Sequence, residues 1–176
     1  VNKLEAPEKI FTREMEAYGF SDYLGVGDII AHTQGGYLHD GMIAAAAASW
    51  LRGKAVELAQ QKLPWFLAVN LVNPHDVMFF DTDAPGTPVN PHRGITHVAR
   101  APVDPLYAKQ WDFDLPRSHG QAIDAPGRPP AHKDFLASHD AMVGNIPDER
   151  DRWERRHNFY LNCIRDVDRN IHALLE

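Results

Sequence analysis

The chain has 176 residues, of which 44% are hydrophobic and 24% are charged, a composition typical of globular domains. Its net charge of -6 argues against a general nucleic-acid binder, which needs a basic surface, and no apolar run approaches the ~18 residues of a membrane span. The single cysteine, Cys163, excludes an internal disulfide framework and a cysteine-rich zinc site, and the N-terminal stretch lacks a signal-peptide pattern, so the compartment stays unknown.

Two helices are predicted in the first part of the chain. Residues 8–18 predict a short helix, and the glycine-rich stretch after it predicts a loop. The first long predicted helix runs from Gly41 to Lys62, with Asp40 as its N-cap. Leu63-Pro64 ends it, because a residue before proline avoids the helical conformation. Its apolar side chains recur at helical spacing and form one stripe: Ile43, Ala47, Trp50, Leu51, Ala55 and Leu58.

The next stretch, "WFLAVNLV" at residues 65–72, predicts a buried strand. It is short, nearly all apolar and rich in aromatic and branched side chains, as strands covered on both faces of a parallel sheet are. A helix, a tight turn and a buried strand together make half of a repeating α/β unit. The expected fold class is therefore α/β, with residues 65–72 as a core strand.

Residues 73–146 form a proline-rich segment without clear periodicity. Eleven of the 13 prolines lie between Pro74 and Pro147. Short helices are predicted near Pro105–Lys109 and Ala131–Leu136. A solvated linker would not carry many large apolar side chains, so we expect this segment to be ordered and packed through Phe79, Phe80, Tyr107, Trp111, Phe113 and Phe135.

The last predicted element is a long amphipathic helix. Pro147, followed by Asp148 and Glu149, is typical of a helix N-terminus. The apolar face is predicted from spacings of three and four residues, and it comprises Trp153, His157, Tyr160, Ile164, Val167, Ile171 and Leu174.

These elements do not complete a sheet, because two long helices accompany only one strand. A stretch of roughly seventy residues without regular structure is also far longer than the usual connection in a compact domain. We therefore expect residues 1–176 to be an internal fragment of one larger domain, without a separate second domain. The missing strands would lie before Val1, after Glu176, or on both sides.

The polar residues Asn73, His75 and Asp76 follow the predicted strand directly. In open α/β sheets, ligands bind beyond the carboxyl ends of the strands. An imidazole placed there can donate a hydrogen bond to an anionic oxygen or protonate a leaving group near neutral pH. Alternatively, Asn73 and Asp76 build a turn and His75 is an ordinary surface residue. The residues alone leave both interpretations open.

The chain also contains, in this order, "YGFSDY" with "GGYLHDGMIAAAAASWL", then "LPWFLAVNLVNPHDVMFFD", "LPRSHGQAIDAPGRPPAHKDF" and "NFYLNCIRDVDRNIHALLE". Together these stretches resemble the sulfatases of the alkaline-phosphatase-like superfamily, and the resemblance covers nearly the whole chain. It implies part of an α/β/α sandwich as the fold. It also implies that His75 binds the sulfate group and assists departure of the alcohol. Asp76 would orient that imidazole or line the substrate cleft, whereas for Asn73 a role in the turn is favoured.

The resemblance implies further chemistry whose residues are not in this sequence. The family nucleophile is a formylglycine made from the first residue of Cys/Ser-x-Pro-x-Arg, and no such motif occurs here. Cys163 is followed by Ile-Arg-Asp-Val within a predicted helix, so we interpret it as a packing residue. The acidic metal ligands of the family also have no counterpart. Formylglycine and a divalent metal, expected to be calcium, would belong to the intact enzyme, and no metal ligand is assigned in this segment.

The expected function is that of a segment of a sulfatase, inert in isolation, that supplies an anion-contacting histidine and part of the substrate cleft. Its partners would be a small-molecule or carbohydrate sulfate ester and the rest of the parent catalytic domain, with no nucleic acid and no membrane. Two alternatives stay open. One is a related phosphonate monoester hydrolase or phosphodiesterase, and the other is a non-catalytic binding module that keeps the fold.

Overall fold

A computed structural model of the chain describes residues 7–25, 33–90 and 93–176, and this part of the protein is helical. The elements in chain order are α1 (Pro7–Glu16), α2 (Gly35–Trp50), a π-helical turn (Leu51–Ala55), α3 (Val56–Gln60), a 3-10 helix (His75–Phe79), α4 (Ala131–Met142) and α5 (Arg150–Leu175). None of these helices combines the length and the apolar composition needed to cross a membrane.

The predicted α/β class, and with it the α/β/α sandwich, is wrong for the described residues, which contain no sheet. The nearest approach to one is an isolated parallel bridge between Phe80 and Ala99. Residues 64–71 have no regular secondary structure, and no backbone hydrogen bond joins them to another described segment. A strand needs a neighbour to pair its N–H and C=O groups. The other described segments are helical or proline-rich and do not supply one.

The predicted burial of residues 65–72 is also wrong. Phe66 is 78% exposed and Trp65 is 45% exposed, while Leu67, Val69 and Leu71 are half-buried. An apolar segment gains favourable free energy when it is buried, but whether it is buried depends on packing partners elsewhere in the chain. Trp65 packs edge-on against Trp50, with ring centroids 5.3 Å apart.

The first long helix is confirmed, although it begins earlier than predicted. It starts at Gly35, has Gln34 as its N-cap, and continues through the π-helical turn to Gln60. Asp40, predicted as the cap, lies inside the helix and is fully buried. The buried side chains in this region are small, which allows a close approach to α5: Ala44, Ala47, Ala48 and Ala55.

The last long helix is confirmed as α5, but its predicted buried face is wrong. Tyr160, Ile164 and Ile171 on that face are each more than a third exposed. The buried residues lie on a different side of the helix, and three of the five are polar: Phe159, Asn162, Cys163, Asp166 and Asn170. Buried polar groups need hydrogen-bonding partners. Here the proline-rich segment and α2 approach that polar side.

The proline-rich segment is ordered and packed, as predicted. Phe80 stacks on Phe159 of α5 with ring centroids 4.5 Å apart, and Tyr107 and Cys163 complete this core cluster. A second cluster joins Phe79, Val98 and Val143. The predicted helix at 131–136 is confirmed as α4, although Phe135 on it is 68% exposed. Residues 105–109 form turns rather than the predicted helix.

A group of ion pairs also stabilises the proline-rich segment, both internally and against α5. Asp81 is fully buried and lies 2.8 Å from Arg93 Nη2 and 3.2 Å from Arg100 Nε. Arg152 of α5 pairs with Asp83, and Arg155 Nε donates to the Thr82 carbonyl oxygen at 2.9 Å. Arg152 and Arg155, which are about one helical turn apart on α5, therefore both bind residues 82–83.

We expect Phe159→Ala to lower the free energy of unfolding by about 3–5 kcal/mol, the usual range for a buried phenylalanine. The Phe159 ring is 5% exposed and packs on both Phe80 and Tyr107, so its removal leaves a cavity. Urea denaturation followed by circular dichroism measures the change.

Phe66→Ala is the matched control, because it removes the same atoms from a ring that is 78% exposed. We expect it to change the free energy of unfolding by less than about 1 kcal/mol. A loss as large as that of Phe159→Ala would mean that Phe66 is buried, contrary to the structure.

Candidate functional site

His75 lies at the surface, immediately after the turn at residues 73–74. It is the first residue of the 3-10 helix, and its amide N–H donates to the Val72 carbonyl oxygen at 2.9 Å. Its side chain is exposed, with the imidazole centroid 6.1 Å from that of the Phe79 ring. An exposed imidazole in this position is accessible to a ligand.

The turn beneath His75 is held by the buried carboxylate of Asp40. The Val72 amide N–H donates to Asp40 Oδ1 at 2.6 Å, and the Asn73 amide N–H donates to Asp40 Oδ2 at 3.0 Å. Pro74 has no N–H to donate. Every backbone donor from residue 72 to residue 75 therefore has an acceptor within the described structure.

The side chain of Asn73 connects this turn to α5. It is 7% exposed, and its Nδ2 donates to Tyr107 Oη at 3.1 Å and to Asp166 Oδ2 at 3.3 Å. Tyr107 Oη donates to the same Asp166 oxygen at 2.8 Å. We call Asp40, Asn73, Tyr107 and Asp166 the buried polar network. It joins α2, the turn, the proline-rich segment and α5.

Because Gly36 has no side chain, the Asn73 side chain can pack directly on α2. A Cβ atom built on Gly36 would clash with the Asn73 carboxamide. Gly36 precedes Asp40 by one helical turn, so both residues lie on the same face of α2. This face of α2 therefore contacts the turn at two places. The Asn73 side chain packs on Gly36, and the Asp40 carboxylate accepts hydrogen bonds from the backbone of the turn.

Tyr107 is held in its protonated form. Burial raises the pKa of the Tyr107 phenol far above its usual range, and its hydrogen bond to Asp166 adds to this effect. A phenolate here would be a second buried negative charge beside a carboxylate. Tyr107 therefore acts as a hydrogen-bond donor at any pH near neutrality.

Asn162 fixes the backbone around Tyr107. Its Nδ2 donates to the carbonyl oxygens of Tyr107 and Lys109, each at 3.0 Å. Its Oδ1 accepts a hydrogen bond from Trp111 Nε1 at 2.8 Å. The polar side of α5 thus supplies partners to a loop that has no regular secondary structure of its own.

The residues predicted for the site have different environments. His75 is exposed at the predicted place, and Asn73 occupies the predicted turn, although its side chain points into the buried network. The side chain of Asp76 lies outside what the structure describes. Sequence reasoning missed the supporting roles of Asp40, Tyr107 and Asp166. The hydrophobic spacing gave no signal for them, since Asp40 is the predicted N-cap and Asp166 lies outside the predicted apolar face of α5.

The described residues do not fit a divalent metal or a formylglycine. No group of three or more His, Cys, Asp and Glu side chains among them is arranged to hold a metal ion. The Asp40 and Asp166 carboxylates already accept hydrogen bonds from amide, phenol and guanidinium groups. Cys163 is 0% exposed and packs in the core cluster, in agreement with its predicted packing role. No reaction step is therefore assigned to a metal or to this cysteine.

The chain matches no protein-family model, no curated protein and no solved structure in the comparisons. The case for a function rests on the geometry around His75 and on the resemblance of the sequence.

We expect the stability difference between the wild-type protein and Tyr107→Phe to depend on pH. An unfolded tyrosine ionises near pH 10. Because the folded-state pKa of Tyr107 is raised, its contribution is fully present below about pH 10 and decreases as the pH rises toward the folded-state pKa. The decrease should approach about 1.4 kcal/mol per pH unit.

Urea denaturation of both proteins from about pH 8 to about pH 11 measures this effect, since the other tyrosines and lysines are common to both. At the lower pH, Tyr107→Phe should be about 1–3 kcal/mol less stable, because Asp166 and Asn73 lose a buried partner. The difference should shrink above about pH 10. Parallel curves over the whole range would contradict the raised pKa.

Proposed function

We propose that this chain is part of an enzyme that hydrolyses sulfate esters, and that His75 contacts the anionic group of the substrate. The observation that carries the proposal is the combination of an exposed imidazole with the hydrogen-bonded turn beneath it. The resemblance of the sequence to sulfatases supplies the reaction class.

The buried polar network makes this turn unlike an ordinary surface loop. Asp40 and Asp166 are 0% and 1% exposed, and the burial of each carboxylate costs several kcal/mol unless hydrogen bonds compensate. A loop that only connects two elements does not require such groups. A fixed turn does favour binding, because His75 loses less conformational freedom when it contacts a ligand.

The chemistry of the imidazole suits both parts of the proposed role. As an imidazolium it donates hydrogen bonds to the anionic oxygens of a sulfate ester. When the bond between sulfur and the bridging oxygen breaks, the departing alcohol oxygen needs a proton, and a histidine can provide it near neutral pH. Asp76 would orient the imidazole or line the substrate cleft.

The remaining machinery would come from other sequence. Residues 1–176 contain no Cys/Ser-x-Pro-x-Arg motif, so the proposal places the formylglycine nucleophile and the ligands of the divalent metal elsewhere in the enzyme. The substrate would be a small-molecule or carbohydrate sulfate ester. The 176-residue chain by itself should not turn over such an ester.

In the enzyme that contains this sequence, His75→Ala should lower kcat/KM for an aryl sulfate by roughly a hundredfold to ten-thousandfold, the usual contribution of a positioned acid. His132→Ala is the matched control, because His132 is exposed on α4 and has no role in the proposal. We expect it to stay within about twofold of the wild-type enzyme.

A substrate panel separates the proposal from its alternatives. Sulfate, phosphonate and phosphodiester esters of the same aryl alcohol differ only in the transferred group. Preference for the sulfate ester supports the proposal, and preference for either phosphorus ester would assign the chain to a related hydrolase. Absence of turnover with all three would favour a non-catalytic binding module.

A further inference from the structure

We propose that Asp40 is a positioning residue for His75, which it orients through the backbone of Val72 and Asn73. This inference rests on the proposed function, because it concerns the histidine that would contact the sulfate group. Asp40 itself is 0% exposed and cannot reach a substrate. Any effect it has on the site must therefore pass through other residues.

The route from Asp40 to His75 is short. Asp40 accepts hydrogen bonds from the amides of Val72 and Asn73, at 2.6 Å and 3.0 Å. The carbonyl of Val72 in turn accepts the amide N–H of His75 at 2.9 Å. The first residue of the 3-10 helix is thus attached to the same residue that Asp40 holds. A displacement of Val72 would be transmitted directly to His75.

The side chain of Asn73 provides a separate constraint on the same turn. It is bound by Tyr107 and Asp166, and it fills the space above Gly36. These contacts fix the side chain of Asn73, whereas Asp40 binds the peptide N–H groups on both sides of the Val72 α-carbon. Removal of the Asp40 acceptors should therefore loosen the backbone of the turn while the Asn73 side chain keeps its partners.

The position on α2 also points to a specific requirement for a carboxylate. The neighbouring buried positions on this helix are Ala44, Ala47 and Ala48. An apolar residue at position 40 would continue that face, but it would leave two buried amide groups without acceptors. A carboxylate satisfies both with its two oxygens and contributes no competing donor.

The test uses Asp40→Asn, which keeps the size of the side chain but replaces one acceptor oxygen with a donating amide. Asp168→Asn is the matched control, since Asp168 is an exposed residue of α5. Both variants are compared with the wild-type 176-residue chain by nuclear magnetic resonance under conditions where all three are folded. His75→Ala assigns the His75 ring signals.

Two readouts are needed. The first is the backbone order parameter of His75 without any ligand, which should fall from about 0.85 to below about 0.6 in Asp40→Asn. The second is the response of the His75 ring signals to sodium sulfate, with sodium chloride of equal ionic strength as the reference. The half-saturating sulfate concentration should rise about tenfold if the productive orientation falls to a tenth of the population. Asp168→Asn should change neither.

A purely structural role for Asp40 would lower stability without a selective loss of order at His75. If folded Asp40→Asn keeps both the order parameter and the sulfate response of the wild type, the positioning role is wrong. If the wild-type His75 does not respond to sulfate, the chain alone does not bind the anion through His75, and His75→Ala in the enzyme that contains this sequence then decides the proposed function. The ligand-free order parameter still decides the role of Asp40 in that case.

Hydrogen exchange of the wild-type chain tests the proposal even if Asp40→Asn does not fold. The amides of Val72 and Asn73 should exchange at least about a hundredfold more slowly than those of residues 65–71, which have no acceptor among the described residues. Equal exchange rates in the two groups would show that Asp40 does not hold the turn.

Discussion

A carboxylate that is buried away from water must accept hydrogen bonds from groups inside the protein. This requirement determines how the described helices and the proline-rich segment pack together. Asp40 on α2 and Asp166 on α5 both face the turn at Val72 and Asn73, where the proline-rich segment begins. Neither could be buried without donors. Arg169 of α5 is one donor to Asp166, but Val72, Asn73 and Tyr107 are donors from outside both helices. The helices and the irregular segment are therefore packed as one unit.

This arrangement also explains how the proline-rich segment, most of which lies outside helices, packs against α5. Its apolar groups pack in two core clusters, one with Phe79 and Val98 and the other with Phe80 and Tyr107. Elsewhere in the segment, carbonyl groups accept hydrogen bonds from α5, as at Thr82 with Arg155 and at Lys109 with Asn162. A proline-rich chain has fewer backbone donors of its own. Side-chain donors from a helix are a direct way to satisfy its carbonyl oxygens.

The helices could be predicted from the sequence because helical spacing and end signals are local properties. The buried side of α5 could not, since Asn162 and Asp166 are buried only because loop groups far away in sequence bind them. Hydrophobic spacing instead selected Ile164 and Ile171, which are partly exposed. The strand prediction failed for a related reason, because pairing and burial require partners that residues 64–71 do not have among the described residues.

The prediction that His75 contacts a ligand began from its position after a strand of an α/β sheet. The described residues contain no such sheet. The accessibility of His75 does not depend on a sheet. Its place is set by the hydrogen bond to Val72, by the carboxylate of Asp40 and by the packing of Asn73 over Gly36. These contacts join α2 to the turn and would hold the backbone of His75 whether or not residues 64–71 are paired. The proposed role of His75 therefore depends on the buried polar network.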